Sequence, residues 1–391
     1  FREGDGQFPF LEQFSTLTSI EYRGVHPALR IEFCLRVRAP FYPQNAKLST
    51  APFYYVDLTV SPIERWRWTS SDSPAKNGEI VFGLEGEGVK FERARDGFRY
   101  TFASNSELKV GPPDDPKVTN SRAFQVCSSV HCADGVKVRA NEVTKGFDLS
   151  DGTSATLSFI WSAWSDEPVL EVHGESSPFK YHEFFASEQK MVQWARQSRG
   201  TIEERCDFFD RLLWDWSLGR TMANMSALAL HSFLLNTWWA TRRDGRDWFS
   251  VWEGSCYFHS TVDVEYNAAT IYFALWPDLL DMLLEEWAEF EIDAAGKYGP
   301  HAKGTSFLCH DMGARHVVGK QAYPHYMEVE ENADYLLLLA ARSFFTGDLE
   351  LARGLMPLCR RLAEFIVQSD TDGSGFPDRG TANTIDDANP A

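Results

Sequence analysis

Apolar residues follow two rhythms along this chain. From about residue 16 to 175 they alternate with polar residues or gather in short runs of β-formers: ALRIEFCLRVRA (28–39), APFYYVDLTV (51–60), GFRYTFA (97–103), GVKVRA (135–140), ATLSFIWSAW (155–164) and VLEVHGE (169–175). Clusters of Gly, Pro, Asn, Asp and Ser separate these runs, and no helical period intervenes. Many short strands with turn punctuation predict an antiparallel β-sandwich.

After GESSPFKYHEFF the spacing becomes helical. In 201–216 Ile202, Cys206, Phe209, Leu212 and Leu213 recur at three and four, and Thr201 followed by Glu204 reads as a capping box. Further helices are predicted over 222–243, 264–276, 277–290, 330–345 and 349–368. Pro277 stands where one of them begins, a position at which its missing N–H costs little. These helices are apolar over wide arcs, so they should pack on more than one side. The expected organisation is a β-sandwich domain over 1–175, a helical linker over 176–220 and an all-α domain over 221–391. The last stretch, GTANTIDDANPA, reads as a loop-like tail rather than a closing helix.

Composition narrows the function classes. At 391 residues, 43% hydrophobic and 24% charged, the chain has the make-up of a globular protein with more than one core. A net charge of -18 argues against nucleic acid and against an anionic membrane surface as partners. No apolar run is long enough to span a bilayer. The seven cysteines are scattered and include no CxxC pair, which favours a reducing compartment such as the cytoplasm and otherwise leaves localisation open. The sequon at Asn224 falls in a predicted helix and reads as accidental. Thirteen Trp, 13 Tyr and 29 Phe exceed ordinary core needs and suit a ligand with both C–H faces and hydroxyls.

Cofactor motifs fail on their spacing. GARHVVGKQ (313–321) has one residue too many between its glycines for a phosphate loop, and Gln321 stands where Ser or Thr should hold magnesium. His301, His310, His316 and His325 lack the i,i+4 pairing of a zinc helix. DTDGSGFPD (370–378) lacks the terminal Glu of a calcium loop and reads as a turn. The expectation is no metal and no cofactor.

Acids remain. VWEGSCYFHSTVDVEYNAA (251–269) holds Glu253, Asp263 and Glu265 among aromatic and small residues. Asp263 and Glu265 fit the start of the following helix, as cap and as first-turn acid. Glu253, between Trp252 and Gly254, caps nothing. FLCHDMGA (307–314) pairs His310 with Asp311, and TIDDAN (384–389) holds Asp386 and Asp387.

The order Glu-Gly, Thr-x-Asp-Val, Leu-Trp-Pro, Cys-His-Asp-x-Gly, Thr-Gly-Asp and Thr-x-Asp over 250–387 resembles glycoside hydrolase family 116, the bile-acid β-glucosidase/glucosylceramidase family. It also resembles that family's clan relative, the family 52 β-xylosidases. The resemblance implies an N-terminal β-sandwich on an (α/α)6 barrel that is incomplete in this chain, the remainder lying in further residues or on a second chain. It implies retaining hydrolysis of a β-glucoside, β-xyloside or related carbohydrate by double displacement. Glu253 matches the nucleophile and Asp386 the acid/base. Asp263, His310, Asp311 and Thr384 match sugar-binding positions, and Trp252 supplies an aromatic wall. A retaining enzyme needs two carboxyl groups about 5–5.5 Å apart, one ionised and one protonated.

Two other classes compete. Fungal glutaminase-like proteins resemble the same segment through STVDV, HDMG and VEEN ahead of TGD. That resemblance implies an amidohydrolase whose acids are Asp263, Glu330 and Glu331, although both glutamates also fit a first helical turn. The third class is a non-catalytic carbohydrate-binding or scaffold protein on the same fold.

Overall fold

A computed structural model describes residues 10–63, 76–87, 89–104, 109–110, 118–119, 124–133, 135–214, 219–254, 257–323 and 327–381. The chain divides into two compact units, one of residues 1–104, 125–166 and 181–234, the other of residues 105–124, 167–180 and 235–391.

In the first unit strands β1 (Phe10–Ser15), β2 (Ser19–His26), β3 (Ile31–Arg38), β4 (Phe53–Pro62), β5 (Asn77–Gly83), β6 (Phe91–Arg93), β7 (Gly97–Ser104), β8 (Phe124–Cys132), β9 (Lys137–Val138), β10 (Glu142–Asp148) and β11 (Ala155–Trp164) follow one another. They form an eight-stranded sheet, β1-β2-β3-β4-β11-β8-β7-β6, and a three-stranded sheet, β9-β10-β5. Neighbouring pairs such as β3–β4, β4–β11 and β5–β10 run antiparallel. The alternation in β4 shows why both faces of the large sheet are covered. Val56, Leu58 and Val60 turn into a core shared with Ile80 and Val143 of the small sheet. Tyr55 and Asp57 turn the other way, because successive side chains of a strand point to opposite faces. There they meet helices α1 (Glu188–Gln197) and α2 (Arg199–Trp214). The Tyr55 hydroxyl donates to the Ala195 carbonyl at 2.6 Å, and Arg199 donates to both Asp57 oxygens at 2.8 and 2.6 Å. Asp210 accepts from the Thr18 backbone N–H and hydroxyl at 2.9 and 2.8 Å. α3 (Gly219–Asn236) follows.

The second unit holds β12 (Leu170–Val172), β13 (Glu175–Ser177), β14 (Thr237–Thr241), β15 (Asp247–Val251), α4 (Val262–Leu275), α5 (Pro277–Ala288), β16 (Glu291–Asp293), β17 (Ser306–Leu308), β18 (Gly313–Ala314), β19 (Val317–Val318), α6 (Glu328–Thr346) and α7 (Glu350–Gln368). Leu280, Leu283, Leu284 and Trp287 of α5, Tyr335 and Leu338 of α6, and Leu362 and Phe365 of α7 are buried. The Tyr335 hydroxyl donates to the Leu284 carbonyl at 2.9 Å, tying α6 to α5. No helix among the described residues is long and apolar enough to cross a membrane.

Antiparallel sheets at the N-terminal end followed by a helical region are as the two rhythms predict, and Pro277 does open a helix. Three local expectations are corrected. The helix predicted over 222–243 stops at Asn236, and Thr237–Thr241 becomes a strand paired with Asp247–Val251. Its residues, TWWAT, are β-formers, and a tight turn with Gly245 at φ +84 lets the hairpin close. Thr201 caps nothing, because α2 already begins at Arg199, where the Ile202 N–H bonds the Ser198 carbonyl. The cap belongs to α1, where Ser187 accepts from the Lys190 N–H at 3.4 Å. Of the strand predicted over 135–140, only Lys137–Val138 is extended.

Candidate active site

Glu253 follows the Trp252 end of the β14–β15 hairpin, in a turn held by its own backbone. Its N–H donates to the Phe258 carbonyl at 2.9 Å and its carbonyl accepts from Tyr257 at 3.2 Å. Gly254, Tyr257 and Ser260 all have positive φ (+38, +60 and +43), a conformation that costs a non-glycine residue about 1–3 kcal/mol. The turn is clamped to the segment around 311–315. The His259 N–H bonds the Gly313 carbonyl (2.9 Å), the Met312 N–H bonds the His259 carbonyl (3.1 Å) and the Arg315 N–H bonds the Tyr257 carbonyl (2.9 Å). The Arg315 guanidinium also lies over the Tyr257 ring, 4.3 Å from its centroid. This pairing carries Glu253 to within electrostatic reach of His310 and Asp311, more than fifty residues later.

His259 is the pin beneath the turn. It is fully buried, and its ring sits 2.7 Å from the Ser250 hydroxyl through Nδ1. The Trp252 indole nitrogen and the Arg315 carbonyl oxygen lie 2.8 and 2.6 Å from its Nε2, which holds the Trp252 ring against it. Burial pushes the His259 pKa down to about 3, so the ring stays neutral. Trp252 also packs on Trp238 with centroids 4.6 Å apart and edge-on to Tyr257 at 5.2 Å.

Asp311 is anchored on every side. Its carboxylate accepts from the backbone N–H groups of Gly313 (2.9 Å), Ala322 (2.7 Å) and Tyr323 (2.9 Å), and lies 3.1 Å from His310 Nδ1. The pair is thus built into the loop: Asp311 folds the chain and holds the His310 ring. Both are buried.

Asp263 and Glu265 enter on the first turn of α4. Asp263 is not the helix cap: Thr261 holds that position and makes no side-chain cap bond. Oδ1 of Asp263 is buried without a hydrogen-bond partner. Glu265 is more than an acid suited to the helix dipole. It is 2% exposed, accepts from the Ser260 hydroxyl at 2.9 Å and takes a short hydrogen bond from the Tyr272 hydroxyl. Burial pushes its pKa up to about 7 against the pull of those two hydroxyls, and the charge of Asp263 adds to the rise.

α4 packs against α6, whose first turns bring Glu330, Glu331 and Asp334 to the same place. Burial is the first cause of the rise in all three carboxyl groups; Asp263 comes next for Glu330 and Glu331, and after Glu330 for Asp334. Asp334 reaches about 7, with Glu330 contributing, and Glu331 is driven well above the ordinary value. Glu253 is half-buried, and its pKa is also raised: burial pushes it up, His310 pulls it down, and Asp263 and Asp311 push it up again. Asp263 is thus a charge that helps to raise each of Glu253, Glu330, Glu331 and Asp334 towards the neutral form.

The structure therefore brings together five residues singled out from the sequence, Trp252, Glu253, Asp263, His310 and Asp311. Thr384 and Asp386 lie outside the described residues. Sequence reasoning missed Asp334 and His259. Asp334 could have been found, since Glu330, Glu331 and Asp334 stand at i, i+1 and i+4 and so share one side of a helix.

The model of glycosyl hydrolase family 52 matches residues 54–333, which include all five residues but neither Thr384 nor Asp386. No curated protein matches the chain. Among solved structures it is similar to a chain provisionally assigned as a kojibiose phosphorylase from human microbiome, at 9% identity and a TM-score of 0.46. The similarity covers 89% of this chain and 44% of that one, so this chain spans less than half of its length. Of the two related families that the motif order resembles, the match is to family 52, and it runs through well over half of the residues. The chain belongs to glycosyl hydrolase family 52.

Proposed function

We propose that the complete protein is a retaining β-glycoside hydrolase acting on a β-linked glucoside, xyloside or related glycoside, with the second unit forming the first part of an (α/α)6 catalytic barrel. The observation that carries this reading is Glu253. Its half-buried carboxylate has no hydrogen-bond or ion-pair partner among the described residues, yet it feels the charges of His310, Asp263 and Asp311. A carboxylate held in a fixed turn and left unengaged is available to a substrate.

In the proposed reaction a Glu253 carboxylate oxygen attacks the anomeric carbon while the bond to the aglycone oxygen breaks. Asp386 gives its proton to that oxygen. In the second half a water molecule attacks the anomeric carbon, passes a proton to Asp386 and frees Glu253. Asp263, His310, Asp311 and Thr384 take the sugar hydroxyls, and the immobilised Trp252 ring packs on the C–H face. Attack needs Glu253 ionised. Because its pKa is raised, the acid limb of kcat/KM should fall above the ordinary 4.5.

The test is hydrolysis of aryl β-xyloside and aryl β-glucoside by the complete protein and by Glu253→Gln. Loss of about 10³-fold or more in kcat, and a covalent adduct on Glu253 from the matching 2-fluoro sugar, are expected. Full activity in Glu253→Gln would refute the assignment. The clustering of Asp263, Glu330 and Glu331 keeps the amidohydrolase reading as the second one. Glutamine hydrolysis indifferent to Glu253→Gln would favour it.

A further inference from the structure

The carboxyl group around Asp263 has a feature that sugar binding does not require. One oxygen each from Asp263 and Glu331 and one ring nitrogen of His310 all lie within 4.8 Å of one another. The three side chains are buried, at 6%, 1% and 5% exposure. Neither Glu331 oxygen has a hydrogen-bond partner, and Asp263 Oδ1 has none. The Asp263 backbone N–H pulls the Glu331 pKa slightly down, but no bond of proper geometry reaches either oxygen. None of Asp263, Glu330, Glu331 and Asp334 forms an ion pair with Lys or Arg among the described residues.

Buried carboxylates without a cation are costly. A proton on Glu331 would remove the charge but still leave its oxygens unpaired. A metal ion answers both needs at once.

We propose that Asp263, His310 and Glu331 bind one divalent transition-metal ion of the zinc–manganese class. Imidazole with two carboxylates selects this class, since calcium and magnesium prefer all-oxygen shells. Three protein donors leave at least one coordination position open. Bonds of about 2.0–2.2 Å place neighbouring tetrahedral donors about 3.4 Å apart. The donors therefore close in by up to about 1.4 Å at the widest edge, a movement within the reach of a carboxylate rotamer. Asp311 completes the arrangement from behind. It lies against His310 Nδ1 and is itself tied to three backbone N–H groups, as a carboxylate that orients a metal-bound histidine should be. The ligands come from α4, from the loop after β17 and from α6, segments 47 and 21 residues apart, so no i,i+4 histidine pair announces the site.

The proposal does not depend on the glycosidase reading; it replaces the sugar-hydroxyl role of His310 in it, since Asp311 and the metal occupy both ring nitrogens, and its test involves no substrate. The purified protein, stripped with a chelator, is titrated calorimetrically with Zn²⁺, Mn²⁺, Ca²⁺ and Mg²⁺. One equivalent of zinc or manganese should bind, at least tenfold tighter than calcium or magnesium. Glu331→Gln and His310→Ala should each weaken binding at least tenfold with an unchanged circular-dichroism spectrum, and Asp311→Asn by about 10–100-fold. X-ray absorption at the zinc edge of the unmodified protein should show one imidazole among oxygen donors, a readout that stands even if the variants fail to fold. Absence of saturable one-site binding, calcium binding as tight as zinc, or a zinc shell without imidazole would each overturn the proposal. None of these results bears on whether Glu253 attacks a glycoside.

Discussion

Glu265 gives the sharpest test of the buried-acid network. In the unfolded chain it titrates near 4.5; in the folded protein burial pushes it up to about 7. Below pH 4.5 the group is protonated in both states and contributes no pH dependence. Between 4.5 and 7 the unfolded chain ionises while the folded one holds its proton, so stability falls by about 1.4 kcal/mol per pH unit. Above 7 the folded state ionises too and the loss levels off at about 3 kcal/mol. Glu265→Gln keeps the shape and a polar partner for Ser260 and Tyr272 but cannot ionise. Wild type should therefore lose about 2 kcal/mol relative to Glu265→Gln between pH 5.5 and pH 8, roughly a thirty-fold change in the unfolding equilibrium. Urea denaturation of both proteins at the two pH values measures this, since groups common to both cancel. The same stability difference at both pH values would show that the folded carboxyl titrates normally, and the sealed burial that raises it would be refuted.

Two further substitutions probe the scaffold. Gly313, at φ +127, leaves no room for a side chain: a Cβ would meet the Val317 carbonyl oxygen at 2.5 Å and Val318 Cα at 2.7 Å. Gly313→Ala should destabilise the protein by about 1–3 kcal/mol and increase hydrogen exchange over 310–318; wild-type stability would contradict the close approach. Tyr55→Phe removes the hydroxyl that bonds the Ala195 carbonyl and should cost about 1 kcal/mol in urea unfolding. No change there would mean that this bond adds nothing to the hold on α1, which Glu188 also ties to the Ser162 hydroxyl at 2.6 Å.

How much of this was legible in the sequence depends on the distance over which each feature is decided. The alternation of 53–62 and the helical spacing of 277–288 report which side of an element is apolar, and that is settled within a few residues. So the order of sheets then helices and the helix start at Pro277 could be read directly, whereas the closed space around Gly313 could not. Glu253 stands out in the sequence as an acid that no cap or dipole explains. The strand at Thr237–Thr241 was not, because an apolar run continuing from a helix has the same period until its partner, Asp247–Val251, is known.

The acids show the division most clearly. By itself the sequence determined which carboxyls stand at helix starts, because charge near a helix N-terminus is a local preference. Only the tertiary structure decided that Asp263, on α4, faces Glu331 and Asp334, on α6, and that Glu265 is sealed between Ser260 and Tyr272. A carboxyl's ionisation depends on the water and charge around it, and at Glu331 and Asp334 part of that charge is supplied by Asp263, nearly seventy positions away.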